Sequence, residues 1–378
     1  MKIAIDCRGI NWYHGTGIGT YTDNLVKNIV NSDTVNQYRL FWSGKSYLDF
    51  ERHNCTCVMT SSKHHKFFQE SYFPSNIEKE NIDLYHAPQN GIGLSCNVNC
   101  KKVVTLHDLI PYTMPETVGK GYLLKFLKEI PHIVEMADGI ITVSEFSKGD
   151  ILKFFPMDPN KIKVTPLAAS HIFRPLDKNK CFQFIKNKYH IEENFLLYLG
   201  GFSDRKNVHG IIEAFSRSKS HFNEDIKLVI LGSYRDSSQK LIKLVESLQM
   251  SKHIIFAGFI PEEELPYFYN AAQAFVYPSF YEGFGLPPLE AMSCNTPVIT
   301  SNTTSIPEVV EDCGLLINPY NMIELQNAME SMVNDKLLQE KLREKGLSRS
   351  KAFSWQNTAQ KTIEAYEFFA KGNITNTK

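Results

Sequence analysis

The stretch Tyr277 to Met292 reads Y-P-S-F-Y-E-G-F-G-L-P-P-L-E-A-M and is the most informative segment of the sequence. It begins at the end of an apolar run, Ala274 to Tyr277, and crosses two glycines before it reaches Pro287-Pro288. Proline is typical of a first helical turn, so the order predicts a strand, a glycine loop and a helix. The free amides at such a helix N-terminus attract phosphate.

Two carboxylates bracket this loop, Glu282 before the turn and Glu290 in the first turn of the helix, eight positions apart. An anion cradle between two hydrogen-bonding carboxylates can hold a phosphorylated sugar at one end and a ribose at the other. The same joint also occurs without a ligand, and a first-turn Glu then only stabilises the helix dipole. The candidate cradle residues are Gly283 and Gly285, with the amides of Phe284, Gly285 and Leu286.

The sequence of this stretch resembles that of the retaining GT-B glycosyltransferases, more narrowly glycosyltransferase family 4. The family signature, E-x7-E, usually reads E-G-F-G-L-P-x-L-E-A-M, and Glu282 to Met292 match it at nearly every position. The resemblance implies that the cradle binds the donor diphosphate and that Glu290 accepts hydrogen bonds from ribose hydroxyls. It also implies that Glu282 binds hydroxyls of the transferred sugar, and retention of configuration follows from the resemblance alone.

Composition narrows the class of protein. The chain has 378 residues, enough for two domains with their own cores, and its 43% hydrophobic and 22% charged residues are those of a globular protein. A formal net charge of zero gives no reason to expect a nucleic-acid partner. The strand-like start, Met1 to Asp6, and the absence of a long apolar window predict a cytoplasmic protein without a signal peptide.

The eight cysteines predict neither a metal site nor disulfides. The pairs Cys55-x-Cys57 and Cys96-x3-Cys100 lack the spacing of zinc ligands, and a cytoplasmic chain keeps thiols reduced. The sequence also contains no D-x-D triplet. We therefore expect free thiols, no metal and no other cofactor, with the sugar nucleotide acting as a substrate.

The N-terminal segment repeats the strand, glycine loop, helix order. A strand from Lys2 to Cys7 precedes the run Gly15-Thr16-Gly17-Ile18-Gly19 and a helix from about Thr20 to Val30. The third, helix-packing glycine of a dinucleotide fingerprint is missing, which argues against a nicotinamide cofactor. The resemblance implies that this loop approaches donor and acceptor, with Gly17 as the first candidate.

His107 follows a buried-type strand, Lys102 to Leu106, at the edge where ligands bind in open parallel sheets. A single histidine is often only structural. The run L-H-D-L-x-P, from Leu106 to Pro111, is similar to that of family members, many of which use GDP-mannose. Their histidine contacts the transferred sugar, so we expect His107 to do the same.

The segment Ser61 to Phe73 mixes basic and aromatic side chains. Such a segment can contact a membrane surface or a lipid acceptor, and we keep peripheral contact with the inner membrane as one interpretation. The alternative is an ordinary segment with one solvated face and one core face.

A second strand, loop, helix series starts at Phe195 to Leu199 and places Arg205 and Lys206 before a helix from Val208. Two cations at a helix start oppose its dipole, and a bound anion would remove the conflict; solvated surface cations are the alternative. The resemblance implies that both bind the donor diphosphate in place of a metal. It also implies that backbone near Ile260 contacts the nucleotide base.

Strands and helices that alternate in two series predict an α/β fold of the GT-B type, with two doubly wound Rossmann-like domains facing across a cleft. We place the first domain at residues 1–175 and the second at 190–357, with the boundary between 170 and 190. A C-terminal helix at about 358–378 is expected to pack back on the first domain, as in relatives.

The function predicted is a retaining glycosyltransferase that moves a hexose to a glycan or lipid-linked saccharide in polysaccharide or O-antigen assembly. The loop Ser301 to Val309, S-N-x-x-S-x-P-E-V, and the L-H-D-L-x-P run favour mannose from GDP-mannose. A UDP-sugar or GDP-fucose donor is the alternative. Two other classes stay open, a GT-B phosphorylase or epimerase and a non-catalytic sugar-nucleotide-binding protein.

Overall fold

The computed structural model describes residues 1–13, 15–61, 63–95, 97–233 and 236–371. The chain forms two compact units, each with its own parallel sheet. The first unit comprises Met1–Pro115, Gly119–Leu167 and the segment that starts at Ser354, and the second comprises Ala168–Phe353 with Glu116–Val118.

The sheet of the first unit has seven parallel strands among the described residues, in the order β3-β2-β1-β4-β5-β6-β7. Its central strands are continuous apolar runs because helices cover both faces of such a sheet. The strands are β1 (Lys2–Asp6), β2 (Gln37–Ser43), β3 (Cys55–Thr60), β4 (Leu84–Ala87), β5 (Lys101–Leu106), β6 (Gly139–Thr142) and β7 (Ile162–Val164).

The helices of the first unit connect these strands, and the chain returns at its end with one more. They are α1 (Gly9–Trp12), α2 (Gly17–Ser32), α3 (His65–Phe67), α4 (Phe73–Lys79), α5 (Ile110–Thr113), α6 (Lys120–Met136), α7 (Glu145–Phe154) and α16 (Trp355–Lys371).

The strand order of the first unit reverses between β1 and β4, so the crevice for a ligand lies at their carboxyl ends. Buried side chains fix this edge. Phe41 of β2 stacks on Phe73 with ring centroids 4.1 Å apart, and both belong to a core cluster with Tyr85 of β4. The Ser144 hydroxyl caps α7 by accepting from the amide of Ser147 at 3.0 Å, as its position after β6 predicts.

The second unit has six parallel strands among its described residues, in the order β10-β9-β8-β11-β12-β13. They are β8 (Asn194–Leu199), β9 (Ile226–Leu231), β10 (Ile254–Gly258), β11 (Ala274–Tyr277), β12 (Val298–Ser301) and β13 (Leu315–Ile317). The helices are α8 (Lys178–Tyr189), α9 (Val208–Ser218), α10 (Asp236–Ser247), α11 (Leu265–Ala271), α12 (Leu286–Ser293), α13 (Ile306–Val310), α14 (Met322–Asn334) and α15 (Lys336–Ser350). Here the order reverses between β8 and β11, directly before the stretch that opened the sequence analysis.

The prediction of two doubly wound α/β units is confirmed. The first unit ends at Leu167, before the residue 175 expected from the sequence, and the chain re-enters it at Ser354. Helix α16 contacts α2, β5 and β6 of the first unit, and Trp355 lies against Tyr21 with ring centroids 6.2 Å apart. Residues 372–378 of the expected C-terminal helix lie outside the described residues.

Seven cysteines in the described residues are free thiols, and Cys96 lies outside them. The segment Ser61 to Phe73 contains one residue, Ser62, that also lies outside. Its aromatic side chains differ in exposure, since Phe73 is fully buried and Phe67 is 56% exposed. In the part of the chain that the structure describes, no helix combines the length and the apolar character that crossing a bilayer requires.

Candidate functional site

The central feature of the second unit is a carboxylate held by two cations. Glu282 Oε1 lies 2.8 Å from Arg205 Nη1 and 2.7 Å from Lys206 Nζ. The three side chains are only 12 to 14% exposed. The cluster lies at the switch point of the sheet, because Arg205 and Lys206 follow β8 and Glu282 follows β11. Sequence analysis named all three residues, but as contacts to different parts of a donor.

Electrostatics explain why Glu282 stays ionised. Burial opposes its negative charge, but Lys206 and Arg205 outweigh that effect and lower the pKa of Glu282 to about 2. The cluster of two cations and one anion therefore carries an excess positive charge at neutral pH. An added anion would compete with Glu282 for the two cations.

The position of Arg205 and Lys206 corrects one expectation. They do not lie at the start of the α-helix, because a short 3-10 helix, Asp204–Lys206, holds them and Asn207 separates them from α9. Asn207 adopts a left-handed backbone with φ of 54°. Glu282 is an anion that pairs with both cations, and the binding of a diphosphate there stays a prediction.

Backbone contacts fix Arg205 in front of β11. Its Nη1 donates to the Tyr281 carbonyl at 2.6 Å, and its own carbonyl accepts from the amide of Phe280 at 2.9 Å. The Asn207 side chain donates to the carbonyl of Pro319 at 3.0 Å. The two Arg205 bonds tie the loop after β8 to the loop after β11, and the Asn207 bond ties it to the residues after β13, so the guanidinium is preorganised.

Tyr277, the last residue of β11, is a member of the cluster that sequence analysis missed. Its hydroxyl donates to Glu282 Oε1 at 3.0 Å and also contacts Lys206 Nζ. Burial raises the pKa of Tyr277 well above its ordinary value, so the phenol stays protonated. The signal was present in the sequence, since a tyrosine at a strand end five residues before the glutamate points toward the same edge.

The loop after β12 holds the glycine loop from the other side. The Ser305 hydroxyl lies 2.8 Å from the carbonyl of Glu282 and 2.8 Å from that of Phe284. The Thr304 hydroxyl accepts from the amide of Glu282 at 3.2 Å. This loop was expected only to indicate the donor, whereas two of its hydroxyls hold the backbone of Glu282.

Gly285 is required by geometry. Its φ is +123°, and a Cβ there would lie 2.8 Å from Ile306 Cδ1. Helix α12 then starts at Leu286, and no side chain caps this start. The N-cap residue is Gly285, which has no side chain to cap the helix, and a cradle formed by the amides of Phe284, Gly285 and Leu286 stays a prediction.

Glu290 is the fifth residue of α12 and so lies beyond the first turn, where it was expected. It is half-buried, and its environment is opposite to that of Glu282. Its Oε2 accepts from the Tyr269 hydroxyl at 2.9 Å. Burial raises its pKa to about 7, the charge of Glu262 adds to the shift, and the bond from Tyr269 opposes it. Glu262 follows Ile260, which is 4% exposed, so the segment predicted to meet the base lies near the carboxyl predicted to meet the ribose.

His107 lies in the first unit directly after β5. Its Nε2 is 2.9 Å from the carbonyl of Pro88, which can only accept, so Nε2 carries the hydrogen. Burial lowers its pKa to about 4, although the Pro88 bond acts in the other direction. The ring is therefore neutral at physiological pH and has its lone pair on Nδ1. The amide of His107 donates to the Asn90 side chain at 3.0 Å, which fixes the start of the loop.

Gly17 opens helix α2, whose N-cap residue, Thr16, accepts from the amide of Gly19 at 3.4 Å. A Cβ at Gly17 would meet no atom of the described chain within 4 Å. Space above a helix N-terminus suits a loop that approaches a ligand. The structure therefore places Gly17 and His107 in one unit and the other candidates in the second, where Arg205, Lys206 and Glu282 are in direct contact.

Two family models match this chain in succession. The model described as Glycosyltransferase Family 4 matches residues 15–169, and the model described as Glycosyl transferases group 1 matches residues 182–349. An O-antigen chain mannosyltransferase B from Escherichia coli is 31% identical over 97% of this chain and 100% of that protein. The fold and these matches define a glycosyltransferase of the GT-B class.

The chain belongs to glycosyltransferase family 4, as the motif at Glu282 to Met292 predicts. Solved structures agree on the fold. Sucrose-phosphate synthase from Thermosynechococcus elongatus superposes with a TM-score of 0.75 at 22% identity, covering 97% of this chain and 98% of that one. HepE from Anabaena, in complex with UDP and glucose, gives a TM-score of 0.75 at 17% identity, covering 97% and 99%.

Proposed function

We propose that the chain is a retaining mannosyltransferase that transfers mannose from GDP-mannose to a saccharide in O-antigen or related polysaccharide assembly. The name of the Escherichia coli relative, which matches along nearly its whole length, supports mannose as the sugar. The L-H-D-L-x-P run at Leu106 to Pro111 supports GDP-mannose as the donor. The acceptor proposed is a glycan or a lipid-linked saccharide.

The contact of Glu282 with Arg205 and Lys206 carries this proposal. Negative charge grows on the leaving diphosphate as the bond to the sugar breaks, and fixed cations in a buried site stabilise that charge. In the proposed reaction the diphosphate binds Arg205, Lys206 and the amides of Phe284 to Leu286. Glu282 then gives up part of its contact with the cations and accepts hydrogen bonds from hydroxyls of mannose.

His107 has a different role in this proposal. A neutral imidazole with its lone pair on Nδ1 accepts a hydrogen bond from a sugar hydroxyl without placing a second positive charge near the reacting carbon. Such a group orients the sugar, while the charge of the leaving group is stabilised elsewhere. Glu290 and the backbone at Ile260 are proposed to bind ribose and base.

We also propose that transfer needs neither a metal ion nor another cofactor. Lys206 and Arg205 supply the positive charge that a divalent ion would supply to a diphosphate. A metal-dependent reaction would instead lose its rate on chelation, which a simple assay distinguishes.

We further propose that the segment Ser61 to Phe73 of the first unit contacts the cytoplasmic face of the membrane peripherally. The exposed Phe67, beside Lys63 and Lys66, supports this proposal, since an aromatic side chain flanked by lysines suits an anionic surface. Sedimentation with vesicles that contain an anionic phospholipid checks it. Replacing Phe67 by Ser should reduce the bound fraction, and equal binding of both forms would exclude this segment.

A donor screen tests the proposed function. Thermal shift with GDP-mannose, GDP-fucose, UDP-glucose, UDP-galactose and UDP-GlcNAc identifies the nucleotide, because a bound ligand raises the melting temperature. Release of GDP from GDP-mannose with an alkyl mannoside as acceptor then distinguishes an enzyme from a non-catalytic binder. Glu282→Ala should abolish release but leave the fold intact. Stabilisation by UDP-sugars alone would refute GDP-mannose, and full turnover by Glu282→Ala would refute the role of Glu282.

A further inference from the structure

A buried chain of hydrogen bonds runs through the first unit next to His107. The Tyr366 hydroxyl lies 2.7 Å from His86 Nδ1, and His86 Nε2 lies 2.8 Å from Thr105 Oγ1. Thr105 Oγ1 lies 3.1 Å from the Tyr21 hydroxyl. All four side chains have no exposed surface. The hydrogen bonds therefore connect α16, β4, β5 and α2 in the interior of the unit.

The hydrogen-bonded side chains lie next to His107 in two ways, through the ring of Tyr21 and through the neighbouring residues of β4 and β5. The Tyr21 ring lies edge-on to the imidazole, with centroids 4.6 Å apart and planes at 86°. Thr105 precedes His107 by two residues, and His86 precedes Pro88, the acceptor for His107 Nε2, by two residues. Residues two apart along a strand share a face. The bond from His86 to Thr105 and the bond from His107 to Pro88 are thus successive contacts between the ends of β4 and β5.

The protonation state of His86 fixes the orientation of the hydroxyls bound to it. Burial lowers the pKa of His86 to about 3, with a smaller contribution from His107, so the ring is neutral. A neutral imidazole donates from one nitrogen and accepts at the other. Tyr366 and Thr105 are bound to opposite nitrogens, so each hydroxyl must match the tautomer. Turning any one group breaks a bond in the interior, which is costly.

Packing alone does not call for these residue types. Phenylalanine and valine fill the same volumes without burying polar groups, and buried polar groups are costly unless every bond is made. Helix α16 also contacts the hydrogen-bonded side chains at two points, since Trp355 lies against Tyr21 and Tyr366 bonds to His86. The hydrogen-bonded side chains thus connect helix α16 to the surroundings of His107.

We propose that Tyr366, His86, Thr105 and Tyr21, here called the buried relay, position the imidazole of His107 for the sugar. The C-terminal helix then sets the orientation of a group that follows β5, although the two are far apart in sequence. The four are positioning residues because they act through His107. The inference rests on the role proposed above for His107.

A double-mutant cycle tests the buried relay. Tyr366→Phe keeps the ring and removes one hydroxyl, and we expect kcat for GDP release to fall about tenfold with a donor KM within about twofold. His107→Ala should lower kcat further, and adding Tyr366→Phe to it should change nothing more, because the relay acts only through His107. Additive losses in the double variant, or a wild-type kcat for Tyr366→Phe, would overturn the proposal.

A matched control separates positioning from stability. Tyr38 is also a fully buried tyrosine of the first unit, but its hydroxyl donates to Asp33. Tyr38→Phe should lower the melting temperature as much as Tyr366→Phe does and leave kcat within about twofold. If both variants lose kcat in proportion to stability, the relay is only structural. Tyr21→Phe, which removes the last hydroxyl, replaces Tyr366→Phe if that variant does not fold.

A spectroscopic measurement needs no substrate. Nitrogen-15 NMR of labelled histidine, assigned with His107→Ala, should find His107 with its hydrogen on Nε2 in both forms, since the Pro88 carbonyl remains its acceptor. The ring nitrogen shifts of His107 should differ between wild type and Tyr366→Phe because the ring changes its orientation, and identical shifts would contradict the relay. Full turnover by His107→Ala would instead contradict the proposed role of His107, so the two failures are distinguishable.

Discussion

The carboxyl edges of the two sheets differ in charge. In the second unit, Glu282 is held ionised by Arg205 and Lys206, whose charges lower its pKa to about 2. In the first unit, burial lowers the pKa of His107 to about 4 and that of His86 to about 3, so both rings are neutral. The first unit also has an ion pair at this edge, because Arg8 Nη2 lies 2.6 Å from Asp6 Oδ2 at the end of β1, with both side chains buried. The same topological position thus carries two cations in contact with one carboxylate in the second unit, and a one-to-one ion pair beside neutral imidazoles in the first.

In the proposed function, the second unit stabilises the leaving group and the first unit orients the sugar. A leaving diphosphate needs fixed positive charge, whereas a sugar needs hydrogen bonds that orient it and leave the reacting carbon unperturbed. In the proposed function, the cations that contact Glu282 meet the first need and the neutral imidazole of His107 meets the second.

The largest effect should follow from removing a cation. Lys206→Ala leaves Glu282 with Arg205 alone, raises its pKa, and removes a ligand for the diphosphate. We expect kcat/KM for the donor to fall by about 10² to 10³, through both a higher KM and a lower kcat. Steady-state kinetics of nucleoside diphosphate release measure this loss.

Lys219→Ala is the matched control for that variant. Lys219 also pairs with a carboxylate, that of Asp225 at 2.6 Å, but it precedes β9 and so lies at the amino edge of the sheet. It should keep wild-type kinetics. Wild-type kinetics for Lys206→Ala as well would remove the diphosphate assignment and the contrast between the two edges.

The next effect concerns the second carboxylate. Ribose hydroxyls donate best to an ionised Glu290, whose pKa burial raises to about 7. Donor affinity should therefore rise about tenfold between about pH 6 and pH 8 in the wild type. Glu290→Gln should bind the donor weakly and without this dependence. Calorimetric titration at several pH values checks it, and a flat wild-type profile would show that Glu290 does not bind in its ionised form.

The same group predicts a stability effect of definite sign. Because the folded pKa of Glu290 lies above its ordinary value of 4.5, the folded protein holds this proton more tightly than the unfolded chain does. That stabilisation is full below the ordinary pKa and is lost as pH rises through about 7. The melting temperature of Glu290→Gln relative to wild type should thus rise from about pH 5 to about pH 8. An unchanged difference would mean that Glu290 titrates normally.

A comparable effect is expected from Tyr277→Phe. The variant keeps the ring at the end of β11 and removes the hydroxyl that donates to Glu282. One lost hydrogen bond to a charged group corresponds to a fall in kcat of about tenfold or somewhat more, with the cations still in place. Tyr189→Phe, which loses a comparable bond to Glu264 at 2.6 Å, is the control and should retain full activity. Equal kinetics of Tyr277→Phe and wild type would exclude the hydroxyl from the cluster.

The smallest effect should come from chelation. Since Arg205 and Lys206 are proposed to neutralise the diphosphate, EDTA should leave kcat/KM unchanged. The control is the same treatment followed by added Mg²⁺, which should also have no effect. A loss on chelation that Mg²⁺ restores would show that the cations of the second unit do not suffice.

Most of the second-unit site was accessible from sequence because its residues lie in short local motifs. The stretch from Glu282 to Glu290 and the Arg205-Lys206 pair are contiguous patterns with a fixed relation to a strand end. Their mutual contact was not predicted, since a side chain partner seventy-odd residues away depends on which strands are neighbours. The same holds for Tyr269, which lies on a different helix from the Glu290 it contacts.

In the first unit, the sequence located His107 but not its surroundings. The relay joins Tyr366 to His86 across 280 positions, and each residue alone is an ordinary core side chain. Neither periodicity nor spacing marks such a bond. The first unit ends at Leu167 and not at residue 175 for a related reason. The end of a domain depends on which core the last strand and the returning helix join.

The most direct test of the account is a crystal structure of the chain with GDP-mannose. We predict that diphosphate oxygens lie within hydrogen-bonding distance of Arg205, Lys206 and the amides of Phe284 to Leu286, with Glu282 turned toward the mannose. A diphosphate bound away from these groups, with Glu282 still paired to both cations, would contradict it.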